Sequence, residues 1–114
     1  MSKRQVKYQV MQLAIGATGN GTAFTCSEFS EGIMATMVMQ VKGITSATIT
    51  FEATIDGTNW VAVQATPLTT GTAATTTAAD GLFRLDCRGL VSVRARISAW
   101  VSGTITVTAV SVEE

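Results

Sequence analysis

The chain has 114 residues, of which 46% are apolar and only 14% charged, with eight basic side chains balanced by eight acidic ones. That length suits one domain with a single core between two layers, and a formal charge of zero lacks the positive field that nucleic-acid binding normally requires. Mean hydropathy is +0.34, yet no apolar run approaches the roughly 20 residues of a spanning helix, so no membrane segment is expected.

Residues 1–7 form a basic N-terminal arm carrying Lys3, Arg4 and Lys7, and the domain proper is expected over 8–114. Gln9 and Gln12 interrupt the stretch behind the arm, leaving neither an apolar signal core nor a cleavage site, so the chain is expected to stay in the cytoplasm where it is made. Gln5 to Ile15 reads as a first strand, and Gly16 to Gly21, GATGNG, as a loop rich in residues that accept positive φ. Thr22 to Phe29 reads as a second strand. Ser30-Glu31-Gly32 breaks the pattern, and Ala35 to Val41 resumes it with Met37, Met39 and Val41 on one face, Lys42-Gly43 ending the strand.

The clearest periodicity follows in Ser46 to Val63, SATITFEATIDGTNWVAV. Ile49, Phe51, Ala53 and Ile55 alternate with Thr48, Thr50, Glu52 and Thr54, which predicts a strand with one buried and one wet face. Asp56-Gly57 then turns the chain, and Trp60 and Val61 lead into the returning strand, with Trp60 expected to cover the end of the core. Gln64 to Ala79, interrupted by Pro67 and rich in threonine and alanine, reads as a long loop with a weak edge strand. Asp80-Gly81 turns into Leu82 to Cys87, and Arg88-Gly89 turns again. Val91, Val93, Ala95, Ile97 and Ala99 form an inward row opposed by Ser92, Arg94, Arg96, Ser98 and Trp100, and Ser102-Gly103 is expected to make a hairpin with Thr104 to Val112. About eight short antiparallel strands at this spacing predict an all-β, single-domain β-sandwich of jelly-roll or Greek-key type.

Chemistry has little to stand on. Histidine is absent, so the commonest general base and metal ligand is missing. The carboxylates fall mostly at turns, on the wet face or at the tail, serine and threonine have no base partner, and the GATGNG loop lacks the lysine of a phosphate cradle. No enzyme, cofactor or metal site is expected. Cys26 and Cys87 read as two buried thiols, or as a disulfide if their strands are neighbours in an oxidising compartment.

The segments FEATIDGTNWVAV, DGLFRLDCRGLVSVRARISAW and SGTITVTAVSV, from Ser46 onward, resemble small β-sandwich structural proteins of tailed bacteriophages. In that group a strand ends in an Asp-Gly-x-x-Trp turn, a Gly-Leu-x-x-Val-Arg-x-Arg strand follows, and a Thr/Val-rich hairpin closes the domain. The resemblance implies a virion role, as a capsid decoration (cement) protein or another accessory module. The Asp56–Trp60 turn also looks loosely like those of discoidin-like sandwiches and of Asp-box propellers, although Asp-box spacing places a residue between Asp and Gly and a Thr before Trp.

Decoration of the outer capsid surface is the reading taken from that resemblance, with the major capsid protein as partner and a homo-oligomer, a trimer by capsid geometry, as the binding form. The alternatives are a tail or fibre module that recognises a host glycan through Trp60 and Asn59, or a neck or tail-tube component. Partner contacts are expected at Lys3, Arg4 and Lys7 on the arm, and at Arg94, Arg96 and Trp100 on an outward sheet face, since arginine beside tryptophan suits a contact surface. Neither nucleic acid nor membrane is an expected partner.

Overall fold

Two strands of unusual length dominate the architecture. A computed structural model describes residues 6–26 and 36–112, and within them eight strands follow in order: β1 (Val6–Ile15), β2 (Phe24–Thr25), β3 (Thr36–Thr54), β4 (Val61–Ala62), β5 (Thr66–Pro67), β6 (Thr76–Thr77), β7 (Gly81–Asp86) and β8 (Ser92–Val112). All pairings are antiparallel, and the chain is all-β. The parts of the expected second strand beyond Cys26, the Ser30–Gly32 break, and Lys3 and Arg4 of the arm lie outside the described residues.

β3 and β8 pair with each other along nearly their whole length, from Met37↔Ser111 to Thr54↔Ser92. A straight strand of the 21 residues in β8 would span about 70 Å. The molecule is only 48 Å in its longest dimension, so the pair must bend. The bend lies where the register slips repeatedly, between Lys42 and Ile49 of β3. On one side of it β1, β8, β3, β7 and β5 lie side by side in that order; on the other, β2, β4 and β6 flank the opposite halves of β8 and β3. The first half buries Met37, Met39, Val41, Ile105, Val107 and Ala109, the second Ile49, Phe51, Ala53, Val93, Ala95 and Ile97, and both rows belong to one core. Phe51 of one half meets Phe83 of the other at a ring separation of 5.3 Å. A single hydrogen-bonded sheet thus folds over on itself into a sandwich, with the first strand beside the last as in non-local Greek-key orders.

This corrects two boundaries. Lys42-Gly43 does not end a strand, and Ser102-Gly103 makes no hairpin; both glycines lie inside continuous strands, at the bend. Gly43 and Gly103 have φ of 92° and 117°, a region open to glycine and strained for other residues. They also face each other: a Cβ on Gly103 would lie 2.6 Å from the Gly43 carbonyl oxygen, and one on Gly43 would overlap the Thr104 carbonyl. Asp80 fastens the bend, its carboxylate accepting from the backbone N–H groups of Gly43 at 3.1 Å and Ile44 at 2.9 Å.

Polar side chains lace β1 to the other half. Gln12, buried, donates from Nε2 to the carbonyls of Ala95 at 2.9 Å and Gly19 at 3.2 Å, while Gln9 donates to Ala23 at 2.8 Å. A buried amide is tolerable only when its hydrogen bonds are made, so the glutamines that interrupt the apolar pattern act as ties between layers. Elsewhere the expected order holds: β4 returns after the Asp56 turn to pair with Glu52 and Ala53, and the Gln64–Ala79 region contributes only the two-residue strands β5 and β6.

Gly103→Ala should lower stability by about 1 to 3 kcal/mol, since it combines a strained φ with a backbone clash. Gly57→Ala is the control. Gly57 also has positive φ (80°), but nothing lies within 4 Å of its added Cβ, so its cost should stay near about 1 kcal/mol in urea unfolding.

Candidate interaction surface

The outward face of the β3–β8 half near the Asp56 turn gathers Glu52, Arg94 and Arg96. Glu52 and Arg94 are cross-strand partners, as are Thr50 and Arg96, and such partners project to the same side. Arg94 Nε donates to Glu52 Oε1 at 2.7 Å, Arg96 donates to Oε2 at 3.4 Å, and the Arg94 guanidinium lies 4.2 Å over the Trp60 ring. Glu52 is therefore only 7% exposed, and Thr54 only 3%, although both sit on the face expected to be wet. Ile55, placed in the buried row by alternation, is 72% exposed, because the strand has already ended at Thr54. Trp60 lies half-buried against Arg94 on the outside of the sheet and does not fill the core.

Trp100 does not join this group. Ile49 pairs with Ile97 and Thr48 with Ala99, so Ser98 is an extra residue, a bulge that flips the alternation beyond it. Trp100 consequently pairs with Ala47 on the opposite face, donating its indole N–H to the Gly103 carbonyl at 3.0 Å and standing over Gly16. Lys7 is in β1, where its ammonium donates to the Thr25 carbonyl at 2.8 Å and lies 4.4 Å over the Phe24 ring. Of the four expected contact residues that lie within the described part of the chain, Lys7, Arg94, Arg96 and Trp100, only Arg94 and Arg96 stand together, and Arg96 keeps 45% of its side chain exposed.

The Asp56 turn is tightly self-satisfied. Asp56 accepts from the backbone N–H groups of Thr58 and Asn59, both at 2.8 Å, from the Asn59 side-chain amide at 2.7 Å and from the Thr54 hydroxyl at 2.9 Å. These bonds, those from Asn59 foremost, hold the Asp56 carboxyl well below the usual carboxylate range. Asn59 and one face of Trp60 are thereby engaged within the protein.

A second surface escaped the sequence reading. On the outward face of the first half, Val6 opposes Val112, and Tyr8, Val110 and Val38 stand in one cross-strand row beside Gln40 and Leu82. Tyr8 is 69% exposed, and the row borders a shallow groove of about 260 Å³. Apolar residues on an outward face are the signal: Val38, Leu82, Val110 and Val112 alternate with a core row that is apolar as well. At the edge of the same half, Arg84, Asp86 and Arg88 line a more polar groove with Gln64 and Thr66. Among the described residues no cluster of three metal-ligating side chains occurs.

No family model matches the chain, and no curated protein sequence matches it. Solved structures do. The SPBc2 prophage-derived protein YomS superposes with a TM-score of 0.87 at 19% identity, over 99% of this chain and 97% of that one. The PBSX exported protein XepA superposes with a TM-score of 0.88 at 16% identity, over 99% of this chain but only 39% of its own. At such identities the likeness is one of fold.

Glu52→Ala should leave two arginines facing each other with Arg94 largely covered. The expected loss is about 2 to 3 kcal/mol, less than for a fully buried pair because Arg96 is partly solvated. Trp60→Ala should cost less, about 1 kcal/mol, since a guanidinium–ring contact is removed and no core cavity opens. For Asp56 the folded-state pKa is depressed, so its contribution is complete above the unfolded value of about 4 and is lost as pH falls. The Tm difference between wild type and Asp56→Ala should therefore be constant from pH 7 to 5 and shrink toward pH 2.

Proposed function

We propose that this chain is a phage-derived virion structural protein, a non-enzymatic β-sandwich that decorates the outside of a capsid and stabilises the assembled head. The observation that carries this reading is the match to two prophage proteins over 99% of the chain, one of them a protein of nearly the same extent. The motif resemblance from Ser46 onward supports it independently. The partner is the major capsid protein, and the binding form is a homo-oligomer, a trimer where the shell has three-fold symmetry.

A surface with an apolar row and few charges suits association: the Tyr8–Val110–Val38 row buries area against another copy, while Arg96 and the basic N-terminal residues add electrostatic attraction to an acidic lattice. The mechanism is linkage. A protein that binds only the assembled shell adds its binding free energy to that state, and several weak contacts in register supply the avidity. A second reading draws on the description of XepA as exported, and makes this chain a prophage product that acts outside the producing cell. The glycan-binding alternative is less favoured, because Asn59 and one face of Trp60 are already engaged.

The test is co-sedimentation of purified protein with expanded capsids of its own phage. Wild type should pellet with capsids and migrate as an oligomer at micromolar concentration. Leu82→Asp, on the outward apolar row, should weaken both behaviours at least tenfold with Tm unchanged. A monomer that ignores its capsids and is recovered from the culture medium during prophage induction would replace decoration with the exported reading.

A further inference from the structure

Cys26 follows β2 in the second half of the sandwich and Cys87 follows β7 in the first, and both are buried in the same core cluster. Alternation puts Phe24 and Cys26 on one inward row, and Phe83, Leu85 and Cys87 on another. Each thiol also touches the carbonyl two residues before it, Phe24 at 3.8 Å and Leu85 at 3.9 Å. The backbone brings the rows together: Cys26 N–H donates to the Val91 carbonyl at 2.8 Å, and Leu90 N–H to the Cys87 carbonyl at 3.1 Å, so the turn from Cys87 to Val91 delivers one cysteine to the other. Both thiols are free and buried, and each is the foremost influence on the other's ionisation.

We propose that Cys26 and Cys87 are a disulfide site, closed by thiol–disulfide exchange with a small-molecule disulfide, that staples the two halves of the sandwich together. The step balances as two exchanges. The Cys26 thiolate attacks one sulfur of the reagent, forming a mixed disulfide and releasing one thiolate; the Cys87 thiolate then attacks the Cys26 sulfur, forming the Cys26–Cys87 bond and releasing the second. The reagent gains two electrons and the protein's two thiol protons pass to the released thiolates. Cys26 is the attacking group. The interaction with Cys87 and the positive charge of Lys7, whose ammonium sits on the neighbouring Thr25 carbonyl, favour its thiolate, whereas the interaction with Cys26 and burial push Cys87 up. Closure brings the two sulfurs to the roughly 2 Å of a disulfide bond. The closed loop of about sixty residues would raise the folding equilibrium constant by up to about a thousandfold.

The experiment treats the reduced full chain, under native conditions, with oxidised glutathione and follows intact mass and free thiols. The expected product is a monomer lighter by about 2 Da, with no thiol titratable after denaturation and a raised Tm that reverts on reduction. Cys87→Ser should stop at the Cys26–glutathione mixed disulfide and form it faster than Cys26→Ser forms one at Cys87. Should either variant fail to fold, the wild-type mass and thiol count still decide. A persistent glutathione adduct on wild type, a cross-linked dimer, or two thiols that stay unmodified over days would each overturn the proposal.

Discussion

The close approach of Gly43 and Gly103 is the constraint on which the rest of this sandwich depends. Two strands paired over more than fifteen positions would form a long twisted ribbon with its apolar side open to water. Because both strands carry a residue without a side chain at the same level, their backbones come into contact and the ribbon folds. The face carrying Met37, Met39, Val107 and Ala109 is thereby laid against the face carrying Phe51, Val93, Ala95 and Ile97. Asp80 holds the bent strand through two backbone N–H groups from the start of β7, so the strand that supplies Phe83 and Leu85 to the core also secures the corner.

What could be read in advance followed from local rules. Period-two runs such as Met37-Met39-Val41 and Val93-Ala95-Ile97 name their inward faces correctly, because burial on one side of a strand leaves that imprint whatever the strand pairs with. Glycine carries no such direction. At Gly57 it marks a turn, while at Gly43 and Gly103 it marks a bend within a strand, and only the pairing partner distinguishes the two. The Ser98 bulge has the same character: one extra residue moves Trp100 to the other face, and no composition signal precedes it. Glu52 and Thr54 depart from the wet face that alternation predicts for another reason. A polar residue on an outward face is covered when a loop returns over it, and the return of Trp60 onto Arg94 is a tertiary event.

That cover also reshapes the functional surface. Arg94 and Arg96 read as two positive charges available to a partner, yet Glu52 neutralises them at short range and Trp60 occupies one guanidinium face. The cluster is better suited to holding the Asp56 turn against the sheet than to providing long-range attraction. For the proposed association apolar area is the remaining source of energy, and it is exposed by the outward row of Tyr8, Val38, Leu82 and Val110 and by the patch of Ile55, Val61 and Val63 beside the Asp56 turn.

The edges of the sheet point in the same direction. Exposed strand edges invite pairing with other chains, and this fold keeps most of them to two residues, in β2, β4, β5 and β6. β1 is the long exception, but it is interrupted by register shifts at Gln12 and near Ile15 and by a positive φ of 51° at Ala14, irregularities that twist an edge away from flat pairing. Strand addition is thus disfavoured at these edges, while the face beside β1 remains apolar. The proposed association would accordingly be face-on, through side chains, with its register set by shape and residue identity and not by backbone hydrogen bonds. That property suits the proposed decoration role, in which a module seats repeatedly on one lattice without polymerising with itself.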